Sequence, residues 1–250
     1  MERKQVAALG AEVGLTSNWK RSTEVIMLDS RIAAFEHLMD WANSLSAEHN
    51  RRGLEDLIKI VLRPVQAIHL RDALLRPRHA GPQSLHWMSS LGGLWDGYAD
   101  NGTWAAFLLK NCRRPVDQSS SIRLASDMVI PTLWSESSIL NSLGMIGEGR
   151  ELGAFVQDPN HSVTLMQPLN IAWVNGGNHS IAQGILGGEG VLLPDDVYDV
   201  TEIIRGVRFD GECWVCRKTG DKYGSPIYVE FGWAWEIARL LIDLPRGSTG

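Results

Sequence analysis

Apolar positions near the start of the chain recur at helical spacing. Between residues 23 and 48 they fall three or four positions apart, which places them on one face of an amphipathic helix. They are Leu28, Ile32, Phe35, Met39 and Ala42. This pattern predicts a long first helix.

A second helical pattern covers residues 54–75. Its apolar positions are Leu57, Val61, Val65 and Ile68. Pro64 is expected to kink or split this helix, since proline lacks a backbone N–H group. Prolines and a glycine in residues 76–83 end the pattern. The Trp- and Gly-rich segment 86–104 follows, and it reads as a packed connector or as a stacking platform for bases.

From about residue 116 short β-rich runs replace the helical spacing. The predicted strands are 122–131, 161–168, 170–174, 200–209, 213–218 and 226–231, and the predicted helices are 135–149, a segment from Asn178, and 233–243. Pro131 is expected to end the first strand, Ser135 or Glu136 to cap the first helix, and Gly147 or Gly149 to end it. The sequence therefore predicts an α+β protein, with a helical N-terminal region at 1–115 and an α+β domain at 116–250.

Charge and composition narrow the function classes. The net charge is -5, which argues against a surface coated with basic residues for nucleic acid. No run of about 18 apolar residues occurs, so no membrane span is predicted. Three cysteines do not form a disulfide framework, so we expect a cytoplasmic protein. The spacing of Cys213 and Cys216 suits a zinc or redox pair, but two hairpin cysteines are the favoured interpretation.

The stretch IAWVNGGNHSIAQG, residues 171–184, joins an apolar strand to a helix through two glycines. Helix N-termini offer unpaired N–H groups and a positive dipole end, and glycines let a ligand approach closely. The turn is therefore a candidate phosphate cradle, with His179 as a donor or general acid–base group. Taken alone, the turn favours a purely structural role.

Residues 122–186 resemble the ParB/sulfiredoxin superfamily. The similarity is carried by a proline-ended strand, a glycine-ended helix, a β segment, and a strand that enters the turn Gly177-Asn178-His179-Ser180. The stretches TLMQPL and IAWVNGGNHSIAQGI are most similar to plasmid fertility-inhibition proteins of the oncogenesis-suppression type. The resemblance implies a mixed sheet with flanking helices.

The resemblance also implies a nucleotide site at the turn. The residues carried over are Gly176, Gly177, Asn178, His179 and Ser180. For the fertility-inhibition relatives it implies ATP hydrolysis and DNA cleavage that block conjugative transfer. Nucleotide, DNA and components of conjugation or type IV secretion are then the expected partners.

Two positions depart from the superfamily pattern. Asn178 replaces the nucleophilic cysteine of sulfiredoxins, which excludes sulfinic-acid reduction, and Ser180 replaces an arginine. Another cation must then neutralise phosphate, and the candidates are Arg150, Arg205, Arg208 or Mg²⁺.

Phosphodiester cleavage commonly needs a divalent ion held by carboxylates. The candidate acids are Glu148, Glu151, Asp158, Glu189, Asp195 and Asp196. Glu151 is the first choice as metal ligand and catalytic acid, because it follows the helix-ending glycine. His161 is expected in a surface loop.

Three hypotheses remain open, and the third is an α+β protein whose glycine turn is purely structural. The first is an ATP-hydrolysing, Mg²⁺-dependent DNase in which His179 and Glu151 are catalytic. The second is a non-catalytic module of the same fold that binds a nucleotide or a partner protein.

Overall fold

The computed structural model of the chain describes residues 13–75, 85, 91–94 and 110–245, and the side chains of all of these except 13–29 and 73. The described helices are α1 (Val13–Ala47), α2 (Arg51–Leu75), α3 (Glu136–Ser142), α4 (Asn178–Gly187), α5 (Thr201–Gly206) and α6 (Val229–Asp243). The described strands are β1 (Arg113–Arg114), β2 (Ile122–Arg123), β3 (Met128–Ile130), β4 (Val163–Gln167), β5 (Ile171–Val174), β6 (Val191–Leu192), β7 (Asp196–Asp199), β8 (Val207–Phe209) and β9 (Trp214–Cys216). The predicted break at 76–83 and most of the Trp-rich segment lie outside the described residues.

The architecture is mixed α+β, with N-terminal helices followed by a mixed sheet, as the sequence predicts. The chain divides into two compact units, residues 1–41 and 42–250. Helix α2 belongs to the second unit, where it packs on α6 and β3. The predicted division at residue 115 falls inside this second unit.

Both N-terminal helices form where the apolar spacing predicts them. Helix α2 runs unbroken through Pro64, so the proline does not split it. Pro64 is exposed, whereas Leu57, Val61 and Val65 are buried. The helical hydrogen bond that Pro64 cannot donate is therefore missing at a position that water can reach.

The central sheet has five strands in the order β1-β7-β4-β5-β3. Strand β4 lies antiparallel to β5 and parallel to β7, and β3 lies parallel to β5. Strand β5 is buried at every residue and β4 at all but its last, which explains why both read as continuous apolar runs.

Alternating residues of the sheet serve two different layers. Val163 and Leu165 of β4 belong to a cluster with Ile181 of α4 and Leu192 of β6. On β5, Trp173 packs against Phe231 of α6 instead. Helix α4 thus covers one face and α6 the other.

The first predicted strand, 122–131, is wrong as a single element. It forms β2, which pairs with β6, and β3, which pairs with β5 in the central sheet. Between them the Asp127 carboxylate accepts the Arg123 N–H at 2.7 Å, and the Asp127 N–H donates to the Arg123 carbonyl at 2.8 Å. This turn moves the chain from one sheet to the other.

The helix predicted over 135–149 ends at Ser142. Its start is as expected, because the Ser135 hydroxyl accepts the Ser138 N–H at 3.3 Å. Leu143 then adopts a non-helical conformation, with φ -59° and ψ 121°. Turns occupy the rest of the segment, so neither Gly147 nor Gly149 ends a helix.

Two other predicted strands differ in the structure. Residues 200–209 form α5 and then β8, with Ile203 and Ile204 buried in the helix. Residues 226–231 form no strand, and α6 begins within them at Val229. In both places β-branched and aromatic residues face the core from a helix, so tertiary burial overrides their strand preference.

Among the described residues, no helix is long and apolar enough to span a membrane.

A buried histidine links α2 to the sheet and to α6. The Nδ1 atom of His69 lies 3.0 Å from the Thr132 hydroxyl, and its Nε2 atom lies 3.0 Å from the Tyr228 hydroxyl. Burial lowers the pKa of His69 to about 4, although Asp72 opposes the shift. The folded protein therefore disfavours the charged imidazole.

We expect the free energy of unfolding to fall as the pH decreases from about 6.5 toward about 4. The unfolded chain takes up a proton at His69 over this range, whereas the folded chain does not, and the loss reaches up to about 3 kcal/mol. Urea unfolding across this range measures it. The free energy of unfolding should fall less steeply with decreasing pH in His69→Gln than in wild type. The exposed control His37→Gln should show the wild-type dependence. Equal slopes in wild type and His69→Gln would contradict the assignment.

Candidate functional site

The glycine turn connects β5 to α4 as the sequence predicts. Gly177 is the N-terminal cap of α4, and its φ of +72° lies in the left-handed region that favours glycine. The Ile181 N–H makes the first helical bond, to the Gly177 carbonyl at 3.0 Å. The N–H groups of the first helical turn therefore point away from the helix body, as an anion site requires.

The space beside both glycines is filled by the loop 158–162. A Cβ atom on Gly177 would overlap the ring of His161, and one on Gly176 would lie 2.6 Å from the Asn160 carbonyl. The Ser162 carbonyl accepts the Gly176 N–H at 3.1 Å. The glycines thus admit this loop, so their lack of a Cβ does not by itself create room for a ligand.

His161 is buried, with 5% of its surface exposed, and the expected surface position is wrong. Its Nδ1 atom accepts the Asp158 N–H at 2.8 Å, which places the proton of the neutral imidazole on Nε2. Nε2 then donates to the Ser180 hydroxyl at 2.6 Å, and that hydroxyl donates to the Gly177 carbonyl at 3.0 Å. The Ser180 side chain is therefore engaged inside the protein.

Ser180, His161 and Asp158 also have the spacing of a nucleophile, a base and an acid. The Asp158 carboxylate lies 3.2 Å from Nδ1 of His161. In this network the Ser180 hydroxyl donates to the Gly177 carbonyl, so its proton points away from His161. The trio fastens the loop to the helix.

Asn178 faces the core. Its side-chain oxygen accepts the Thr132 N–H at 2.7 Å, just beyond the end of β3. Its side-chain amide therefore positions the start of α4. Any contact of Asn178 with phosphate would come from its backbone N–H group.

The His179 side chain lies at the start of α4, beside the segment between β3 and α3. It is half-buried, and burial lowers its pKa below the ordinary 6.5. Its Nε2 atom accepts the Ser135 N–H at 3.4 Å, at the start of α3. The indole of Trp134 lies edge-on to the imidazole, with ring centroids 5.7 Å apart, and 60% of Trp134 is exposed.

Trp134 is a functional candidate that the sequence analysis missed. A tryptophan so exposed beside a helix N-terminus offers a flat surface on which a base could stack. The only sequence signal was an aromatic residue between Pro131 and the cap of α3, and this pattern is common in connectors.

Glu151 is exposed, within a turn. Most of the other predicted acids already act as acceptors for backbone groups or pair with arginine. Glu189 accepts the N–H groups of Glu148 and Phe155, and Asp195 accepts that of Val163. Asp196 pairs with Arg113 at 2.5 Å.

Among the described residues no group of three or more metal-binding side chains occurs. Because Mg²⁺ usually takes only one or two carboxylates from a protein, the role of Glu151 as its ligand stays a prediction.

The candidate cations also have other roles. Arg150 donates to the Ile146 carbonyl at 2.8 Å, and Arg205 pairs with Glu202 at 2.7 Å. Arg208 is an exposed residue of β8.

The cysteine pair lies in the β8–β9 hairpin, as the favoured interpretation has it. The Thr219 hydroxyl and the backbone of Thr219 and Lys218 hydrogen-bond to Cys216 and lower its thiol pKa to about 7. Cys213 lies just before β9, three residues earlier, where side chains alternate between faces. The two thiols have different partners, since the Cys213 thiol lies 3.7 Å from the Ser225 hydroxyl.

The comparisons with known proteins gave one family. The model described as "Family of unknown function (DUF6710)" matches residues 14–247. Neither the curated proteins nor the solved structures gave a match.

We expect Gly177→Ala to destabilise the protein by more than about 2 kcal/mol. The alanine would carry the cost of positive φ, about 1–2 kcal/mol, and would also collide with His161. Gly188→Ala is the matched control, since Gly188 has φ +67° at the other end of α4 and no atom within 4 Å of its Cβ position. Chemical denaturation gives the free energy of unfolding of both variants, and the difference between their losses is the cost of the collision with His161. Equal losses would show that the loop does not confine Gly177.

Proposed function

We propose that this chain, which belongs to the DUF6710 family, is a non-catalytic module that binds a nucleotide at the N-terminal turn of α4. The observation that carries this proposal is the exposed indole of Trp134 beside the half-buried imidazole of His179, at the point where α4 begins.

Three kinds of group suit a nucleotide there. The N–H groups of the first turn of α4 and the helix dipole attract phosphate. The Trp134 indole provides a stacking surface for a base, which is worth about 1–3 kcal/mol by alanine substitution. His179 is neutral at pH 7, because burial lowers its pKa, so it contributes a neutral hydrogen bond to phosphate.

The same residues favour binding over catalysis. The side chains of Asn178 and Ser180 are bonded to Thr132 and His161 within the protein. Glu151 lies exposed in its turn, and no described contact joins it to His179. The competing hypothesis is an ATP-hydrolysing, Mg²⁺-dependent DNase with His179 and Glu151 as catalytic residues.

The biological setting of the proposal follows the resemblance to ParB/sulfiredoxin proteins and to fertility-inhibition proteins. It is supported by the order of a strand before Pro131, helix α3, strands β4 and β5, the glycine turn and α4. In this setting the nucleotide-bound chain would engage DNA or a component of conjugation or type IV secretion and block DNA transfer.

Calorimetry with ATP and CTP, with and without Mg²⁺, tests the proposal. We expect saturable binding to wild type without phosphate release and without nicking of plasmid DNA. Trp134→Ala should weaken binding at least about ten-fold, because it removes the stacking surface. His179→Ala should also weaken binding while the protein remains folded.

The control is the double variant His37→Ala/Trp41→Ala. His37 and the exposed Trp41 form a similar ring pair within α1, with centroids 5.3 Å apart. Nucleotide binding should be unchanged in this variant. Phosphate release that disappears in His179→Ala would support the hydrolase instead. No binding at millimolar nucleotide would leave the turn with a structural role alone.

A further inference from the structure

A cavity of about 250 Å³ opens at the other end of the central sheet. Strands β4 and β5 are antiparallel, with Val163 opposite Val174 and Met166 opposite Ile171. The glycine turn follows Val174, whereas Leu169 and Asn170 of the β4–β5 hairpin line the cavity. The cavity is therefore separate from the proposed nucleotide site.

The floor of the cavity is apolar. Ile58 of α2, Ile122 of β2, Leu165 of β4 and Leu169 of the hairpin line it, and all four are buried. These residues come from four segments of the fold. Such a floor suits the hydrocarbon or aromatic body of a small molecule.

The rim carries both signs of charge, and its acids are Glu55 and Asp127, of which Glu55 pairs with Arg51 at 3.4 Å. Lys59 lies 3.5 Å from its nearest carboxylate, that of Asp56, and Arg123 lies 3.8 Å from Asp127. The oxygens of Asp127 already accept the Arg123 N–H and the Ser126 hydroxyl. Lys59 and Arg123 can therefore turn to an incoming anion with little loss.

Two side-chain amides complete the rim. Among the described residues, neither the Gln167 nor the Asn170 amide has a hydrogen-bond partner. Both residues also line a neighbouring cavity of about 210 Å³. Asn170 holds φ +54°, an uncommon conformation for a residue other than glycine. The amides thus offer donors and acceptors to a polar group at the edge of the apolar floor.

We propose that this cavity binds a small organic carboxylate whose apolar body carries an amide. The carboxylate would lie between Lys59 and Arg123, the body on the apolar floor, and the amide against Gln167 and Asn170. The ligand's carboxylate would then meet the two rim cations, and its amide would meet the two side-chain amides. The ligand class is therefore distinct from the nucleotide of the proposed function.

Hippurate, which combines an aromatic ring, an amide and a carboxylate, is the test probe, and its neutral amide is the matched comparison. Calorimetry with the wild-type chain should show saturable binding of hippurate in the millimolar range or tighter. The neutral amide should bind at least about ten-fold more weakly, since it lacks the charge that Lys59 and Arg123 recognise. Lys59→Gln and Arg123→Gln should each reduce hippurate affinity and leave that of the neutral amide almost unchanged.

Asn170→Gly tests the amide without straining the hairpin, because glycine accepts positive φ. It should weaken both probes equally. Arg205→Gln, a change of exposed charge outside the cavity, and His179→Ala should leave hippurate binding intact. Absence of saturable binding by wild type, or equal affinity for the two probes, would overturn the proposal. So would hippurate affinity that is insensitive to Lys59→Gln and Arg123→Gln.

Discussion

Thr132 is the residue through which the core fixes the glycine turn. Its N–H donates to Asn178 at the start of α4, and its hydroxyl contacts His69 of α2, which in turn reaches Tyr228 at the start of α6. Thr132 and His69 are buried, so each of these polar groups must find its partner inside the protein. The position of the turn therefore depends on this network more than on local helix preference.

The elements predicted well are those with an unambiguous apolar pattern. Strands β4 and β5 are short continuous apolar runs, and α1, α2 and the later part of α6 have helical spacing. The errors fall on short segments, where one turn of helix and a strand bury similar residues. Helix α5 is the clearest case, since Ile203 and Ile204 favour a strand locally but reach the core from a helix.

The sequence predicts the secondary structure of the candidate site, but it does not predict which residues pack against that site. The sequence predicts a strand, two glycines and a helix, and the structure has all three. The residue that packs against Gly177 is His161, and no spacing in the sequence predicts this contact. Because the same two glycines suit a ligand or a packed loop, only the fold distinguishes these alternatives.

The two ends of the sheet differ in how they could hold an anion. At the glycine turn, the Ser180 side chain is bonded to His161, and burial favours the neutral form of His179. Binding there would rely on backbone N–H groups, the helix dipole and stacking on Trp134. It would therefore depend only weakly on charged side chains. At the hairpin end, Lys59 and Arg123 supply full charges that salt would screen. Added salt would therefore weaken anion binding more at the hairpin end than at the glycine turn.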